Sequence, residues 1–147
     1  MAEYTKYCRP GNSHFPSWGY PCYTQHVNIE IYADPLLKKV FFNLIDNSLR
    51  HNGAKMSYIR VTASQNPSKI DELVISVEDD GLGVGKEDKP HLFTKGFGKN
   101  TGLGLYLSKE ILSITGLTIQ ETGEPGKGAR FEILVPKGKY RKTPHSH

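Results

Sequence analysis

The chain has 147 residues, 37% hydrophobic, 10% aromatic and 23% charged, with a formal net charge of +4, which suits one globular domain large enough to bury a core without staples. Two cysteines, Cys8 and Cys22, are too few for a disulfide scaffold and lack metal-ligand spacing, so they fit a reducing, cytoplasmic setting with a single bridge left open. No apolar run approaches the roughly 20 residues that cross a bilayer, MAEYTKYCRPG has no signal-peptide core, and the basic residues are dispersed rather than interleaved with aromatics, which argues against a nucleic-acid partner.

Taken in chain order, residues 1–25 carry Pro10, Gly11, Pro16, Gly19 and Pro21 among scattered aromatics, without helical or strand periodicity, and read as an irregular segment. VNIEIY (27–32) alternates as a strand does, and Asp34-Pro35 supplies an N-cap acceptor followed by proline at the first helical position. A helix over about 35–51 follows, with Leu37, Val40, Phe41, Leu44 and Ile45 as its apolar stripe, ended by Asn52-Gly53. SYIRVTAS (57–64) and DELVISVED (71–79) form a hairpin around Asn66-Pro67-Ser68. The glycine- and lysine-rich stretch 80–102 offers one short helical candidate, 87–94. LGLYLSKEILSITG (103–116) is a second amphipathic helix, and LTIQET (117–122) and ARFEILVP (129–136) are strands around GEPGKG. These elements predict an α+β, two-layer sandwich over 26–137: a mixed, mostly antiparallel sheet with helices on one face. A basic tail over 138–147 reads as a solvated end.

Four motifs carry chemistry. NLIDNSLRHN (43–52) places Asn43, Asn47 and Arg50 or His51 on one polar stripe of the helix. Amide oxygens suit Mg²⁺ and a guanidinium suits phosphate, although the stripe alone also reads as a solvated face. VEDDGLGV (77–84) ends a strand in acids and then gives D-x-G-x-G; Asp79 can accept from an exocyclic amine, or the segment is a plain turn. HLFTKGFGKN (91–100) has Phe93 and Phe97 around Lys95, then Lys99: an anchored phosphate-reaching loop, or a flexible basic one. TGLGLYLSKEIL (101–112) puts Gly102 and Gly104 where a loop enters a helix, a phosphate cradle or an ordinary glycine cap. It is not G-x-G-x-x-G after a strand, so a Rossmann reading fails.

The order of the four, followed by GKGARFEILVP, resembles the N box, first glycine box, F box and second glycine box of the ATPase superfamily of gyrase, heat-shock chaperones, mismatch-repair proteins and histidine kinases. The resemblance covers about residues 27–137 and implies the Bergerat-type ATP-binding fold. It implies that Asn47 binds Mg²⁺, with Asn43 a second polar contact and metal ligand, that Arg50 touches phosphate, and that His51 lies near the nucleotide. Asp79 would read the adenine amino group, with Gly81, Gly83 and Val84 shaping the base pocket. Phe93, Lys95, Phe97, Gly98, Lys99 and Thr101 would form the loop and lid over the ATP; Gly102, Leu103, Gly104 and Leu105 would hold its phosphates.

Within the superfamily, hydrolytic members and anti-sigma serine kinases resemble E-x-x-x-N in the N box, with Glu as base. Here that position is Asn43, which cannot accept a proton at neutral pH, and NLIDN is similar to the histidine-kinase form. The resemblance thus implies the catalytic domain of a cytoplasmic two-component histidine kinase core, using ATP and Mg²⁺. Three departures stand out: only Gly98, Lys99, Asn100 and Thr101 separate Phe97 from Gly102; Ala129 stands where relatives carry Thr; and no H-[ED] helical hairpin is present. His14, His26, His145 and His147 are not in such a pattern. The expectation is a monomer that does not phosphorylate itself, acting on a histidine-phosphoacceptor and dimerisation domain, and only indirectly on a response regulator. The competing readings are a nucleotide-binding sensor or docking module without turnover, and an anti-sigma-type serine kinase.

Overall fold

The computed structural model describes residues 3–6, 22–24, 29–51, 53, 55–96 and 104–142. In chain order the elements are β1 (Glu3–Lys6), β2 (Cys22–Thr24), β3 (Ile29–Ala33), α1 (Leu37–His51), β4 (Ile59–Gln65), β5 (Leu73–Asp79), a 3₁₀ turn (Lys89–His91), α2 (Gly104–Ser113), β6 (Thr118–Glu121), β7 (Arg130–Val135) and β8 (Tyr140–Lys142). The fold is α+β with mixed, mostly antiparallel sheets.

The five-stranded sheet runs β2-β4-β5-β7-β6. Only the β2–β4 pairing in it is parallel. Register aligns Val61 with Val77 and Val77 with Phe131, so one row of apolar side chains crosses three strands. Because side chains alternate along a strand, Ile59, Val61, Ile75, Val77, Phe131 and Ile133 form one buried face. Leu37, Val40 and Leu44 of α1, with Ile111 and Leu112 of α2, join them in a single core. Fully burying each such side chain contributes about 1.5–3 kcal/mol, so this layer contact is the main adhesive of the domain.

α1 begins where the sequence says, with a small offset. Asp34 Oδ1 accepts the Leu36 N–H at 2.9 Å, and the Asp34 carbonyl accepts Leu37 N–H at 2.9 Å. Pro35 and Leu36 therefore form the entering turn, and the helix proper starts at Leu37. Gly53, at φ +81, follows its end. The candidate helix over 87–94 is instead a single 3₁₀ turn, since Pro90 within it removes an N–H donor.

The strands depart from the single predicted sheet. Ile29–Ala33 pairs on both sides, with β1 and β8, in a separate three-stranded antiparallel sheet. Residues 1–25, read as irregular, contribute β1 and β2, and the basic tail contributes β8. These strands have three or four residues, too short to show a period in sequence; the ladder to a neighbour defines them. Tyr140 links back, its hydroxyl donating to the Asp71 carbonyl at 3.1 Å.

Candidate nucleotide site

The site grows from the end of β5. Asp79 is 5% exposed, and a buried carboxylate needs donors. Ser48 Oγ of α1 donates to its Oδ2 at 2.7 Å; the backbone N–H groups of Gly81 and Ala129 donate to its Oδ1 at 2.9 and 3.2 Å. The Asp79 N–H in turn donates to the Ala129 carbonyl at 3.0 Å. Three separate chain segments thus fix one carboxylate.

The glycines explain how two loops come this close. Gly128, at φ +132, passes so near β5 that a Cβ would sit 1.9 Å from the Asp79 carbonyl oxygen. At Gly83, φ +74, a Cβ would lie 2.7 Å from the Gly128 carbonyl oxygen. Only glycine fits such contacts at positive φ. Gly126 N–H closes the seam by donating to the Leu82 carbonyl at 2.8 Å.

Asp80 faces elsewhere. It accepts the Ser57 and Tyr58 N–H groups at 2.8 and 3.1 Å, and the Ser57 hydroxyl as well. Burial alone would raise its pKa, but the Ser57 hydroxyl and these backbone donors outweigh it and hold the carboxyl below the ordinary aspartate value. Asp80 therefore fixes the entry of β4 beside the exit of β5.

On α1, Asn43 Nδ2 donates to the Gly104 carbonyl at 3.2 Å and to Ser108 Oγ at 3.3 Å, while Ser108 Oγ donates to the same carbonyl at 2.8 Å. Asn43 thus ties α1 to the first turn of α2. Asn47, one turn on, is half-buried, and its side chain has no hydrogen bond among the described residues. Arg50 is exposed and lies along its own helix, paired with Asp46 at 2.9 Å rather than reaching across the site. His51 is exposed at the helix end.

Phe93 packs edge-on against Phe131 with ring centroids 6.3 Å apart, pinning the segment after the 3₁₀ turn to the core. Val84 and Leu105 are partly buried against the same core. Lys95 Nζ lies 6.0 Å from the ring of Tyr106 on α2. Phe97, Gly98, Lys99, Thr101, Gly102 and Leu103 lie outside the described residues. Among the described residues no cluster of three or more His, Cys, Asp or Glu could hold a metal. A divalent cation here would need amide oxygens and phosphates as ligands.

The structure brings Asp79, Gly81 and Gly83 together, and separately Asn43 with Gly104. The motif reading missed Ser48, Ser108 and the backbone of Ala129. Ser48 had a signal: it continues the buried stripe Leu37, Val40, Leu44 at helical spacing. A hydroxyl in an apolar stripe must find a partner.

Residues 33–139 match the family described as histidine kinase-, DNA gyrase B-, and HSP90-like ATPase. The sensor histidine kinase ZraS of Escherichia coli O157:H7 is 38% identical over 119 residues, covering 78% of this chain and 25% of that protein. The alginate biosynthesis sensor protein KinB of Pseudomonas aeruginosa is 34% identical over 108 residues, covering 68% of this chain and 17% of that protein. The chain thus spans a quarter or less of the length of these relatives. Among solved structures, the nucleotide-free catalytic domain of histidine kinase ThkA superposes with TM-score 0.64 at 27% identity, covering 79% of this chain and 78% of that one. Full-length ShkA, solved with AMPPNP, shares the fold with TM-score 0.68 at 23% identity, covering 84% of this chain and 26% of that one. Motif order, the loops joined at Asp79 and these matches agree: the chain belongs to the histidine kinase-, DNA gyrase B- and HSP90-like ATPase family.

Proposed function

We propose that this domain binds Mg-ATP and donates its γ-phosphate to a histidine on a separate phosphoacceptor and dimerisation domain, as the catalytic part of a two-component sensor histidine kinase. The observation that carries it is Asp79: a buried carboxylate at a strand end, held by Ser48, Gly81 and Ala129 in a frame built by two tight glycine loops. Such a group can read adenine by accepting a charge-assisted hydrogen bond from its 6-amino group.

The phosphates would then extend toward the junction of α1 and α2. Asn47 supplies an uncommitted amide for Mg²⁺, whose role is to neutralise phosphate charge. Asn43 acts chiefly by holding the first turn of α2, whose N–H groups face the phosphates beside Gly102, Leu103, Gly104 and Leu105. By the motif resemblance, Lys95 and Lys99 would serve as phosphate contacts and Phe97 as part of the nucleotide's cover, while Phe93, packed on Phe131, anchors the segment that leads there. Arg50 joins on leaving Asp46, an exposed pair worth only about 0–1 kcal/mol. Gly81, Gly83 and Val84 line the base, and His51 flanks the nucleotide.

Asn43 cannot take a proton from water, so the acceptor has to bring its own nucleophile, as a histidine nitrogen does. The domain would sit in the cytoplasmic part of a larger sensor, with the response regulator engaged through the phosphorylated partner. Calorimetry with Mg-ATP and Mg-ADP tests the binding step, and incubation with a histidine-bearing helical hairpin tests transfer. Absence of any adenine-nucleotide binding at about 1 mM, near −4 kcal/mol, would overturn the reading.

A further inference from the structure

We infer that Lys89 and Glu121, which lie outside the four motifs, form a positioning pair that sets the base pocket around Asp79. The inference rests on the reading of Asp79 as the base-recognising group.

The Glu121 side chain is only 1% exposed, at the end of β6. Its Oε1 pairs with Lys89 Nζ, and its Oε2 accepts the N–H groups of Gly123 and Arg130, both at 3.0 Å. Lys89, 25% exposed, also donates to the Gly123 carbonyl at 2.6 Å. The packing is tight: a Cβ at Gly123 would lie 2.5 Å from the Gly128 carbonyl oxygen and 2.6 Å from Glu121 Oε2.

Both ends of this pair lead to Asp79. Lys89 stands on the turn that closes the first glycine loop, its N–H donating to the Gly85 carbonyl at 3.2 Å. Glu121 opens the 122–129 loop, whose far end delivers the Ala129 N–H to Asp79 Oδ1. Leu82 and Gly126 join the two loops between these points. The chain therefore forms a closed circuit: Asp79, the first glycine loop, Lys89, Glu121, the second loop, Ala129 and back to Asp79. Position errors in one loop can pass to the other through this circuit and the glycine seam. Lys89 suits the brace because its ammonium has three donors and reaches Oε1 and the Gly123 carbonyl at once. Removing it leaves a buried carboxylate short of its cationic partner, and the loop can answer by shifting outward.

The test uses the full chain with Lys89→Met, Lys89→Gln, Lys89→Arg and Glu121→Gln. Calorimetry gives Kd for Mg-ATP and Mg-ADP, and amide hydrogen exchange follows Gly126 and Ala129. Coupling through packed segments is worth about 2- to 30-fold in affinity. Lys89→Met and Glu121→Gln should weaken ATP and ADP by the same factor in that range, because the base side is disturbed and the γ-phosphate side is not. Exchange at Ala129 should quicken. Lys89→Arg should restore most of the affinity, and Lys89→Gln, the milder change, should fall between. A merely structural brace would lower the melting temperature while leaving affinity and Ala129 exchange at wild-type values in the folded protein; that result overturns the inference alone. Wild-type protein that binds neither nucleotide overturns the inference together with the reading of Asp79.

Discussion

Ser48 Oγ donates to Asp79 Oδ2 at 2.7 Å, and both residues are buried. The bond crosses from the apolar stripe of α1 to the last residue of β5 and joins the helix layer to the sheet at the site itself. A hydrogen bond to a charged group is worth about 1.5–3 kcal/mol. Ser48→Ala should therefore lose roughly that much stability in urea unfolding, and nucleotide affinity should fall with it as Asp79 loses its hydroxyl donor from α1. Unfolding midpoints and Kd values equal to wild type would show that Asp79 holds its place without the Ser48 hydroxyl.

Asp79→Asn keeps the volume but turns one acceptor oxygen into a donor. That donor would face either the Ser48 hydroxyl or the N–H groups of Gly81 and Ala129. The exchange removes a charge-assisted contact to the base, worth about 10- to 150-fold in affinity at 1.5–3 kcal/mol. Calorimetry with Mg-ADP should show a loss of at least that size. A near wild-type affinity would move the base-recognising role to another residue.

Much of this was legible in the sequence because glycine and asparagine are placed by hard constraints. D-x-G-x-G and GKG mark places where a Cβ would collide with backbone, as at Gly83 and Gly128. The long strands and both helices announced themselves by period, β4 by strict alternation and α1 by its stripe. The split into two sheets was not legible. It depends on β8 pairing with β3 across more than a hundred residues, and on β1 pairing with the other side of β3, through strands of three or four residues. Asn43 and Arg50 show a different limit. Spacing put both on one polar stripe, but not that Asn43 turns to α2 while Arg50 turns back to Asp46.

Asp80 gives the domain a pH dependence whose sign is fixed. Hydrogen bonds from Ser57 and Tyr58 hold its carboxyl below the ordinary value of 3.8 despite burial. A depressed folded-state pKa means the unfolded chain binds the proton more readily. The stabilisation is therefore fully present above about pH 4–5 and fades as pH falls below the unfolded value toward the lowered one. Urea unfolding of wild type and Asp80→Asn should differ by a constant amount near neutrality and converge in acid. A gap that persists unchanged at about pH 2.5 would place the effect outside titration.

Gly128→Ala should be among the most damaging single changes. Its Cβ would overlap the Asp79 carbonyl oxygen at 1.9 Å, on a backbone at φ +132. Strain of this kind costs about 1–3 kcal/mol from the backbone alone, before the overlap is relieved by moving β5 or the loop. Lower thermal stability and abolished nucleotide binding should appear together. Retention of binding would mean the loop can retreat without disturbing Asp79.

Asn43→Glu separates what the motif suggests from what the contacts allow. By resemblance, a glutamate here would install the base of the hydrolytic relatives and raise ATP turnover. In this structure the position donates, with Asn43 Nδ2 at 3.2 Å from the Gly104 carbonyl and 3.3 Å from Ser108 Oγ. An ionised glutamate only accepts, so it would face the Gly104 carbonyl oxygen with no donor to offer, while the Ser108 hydroxyl is already given to that same carbonyl at 2.8 Å. The α1–α2 tie is then lost and the first turn of α2 moves away from the phosphates. The expected outcome is weaker ATP binding, a stability loss of about 1–3 kcal/mol and no gain in phosphate release. A variant that hydrolyses ATP faster than wild type would show that α2 re-forms its contact by another route, and that the absence of a base alone withholds hydrolysis.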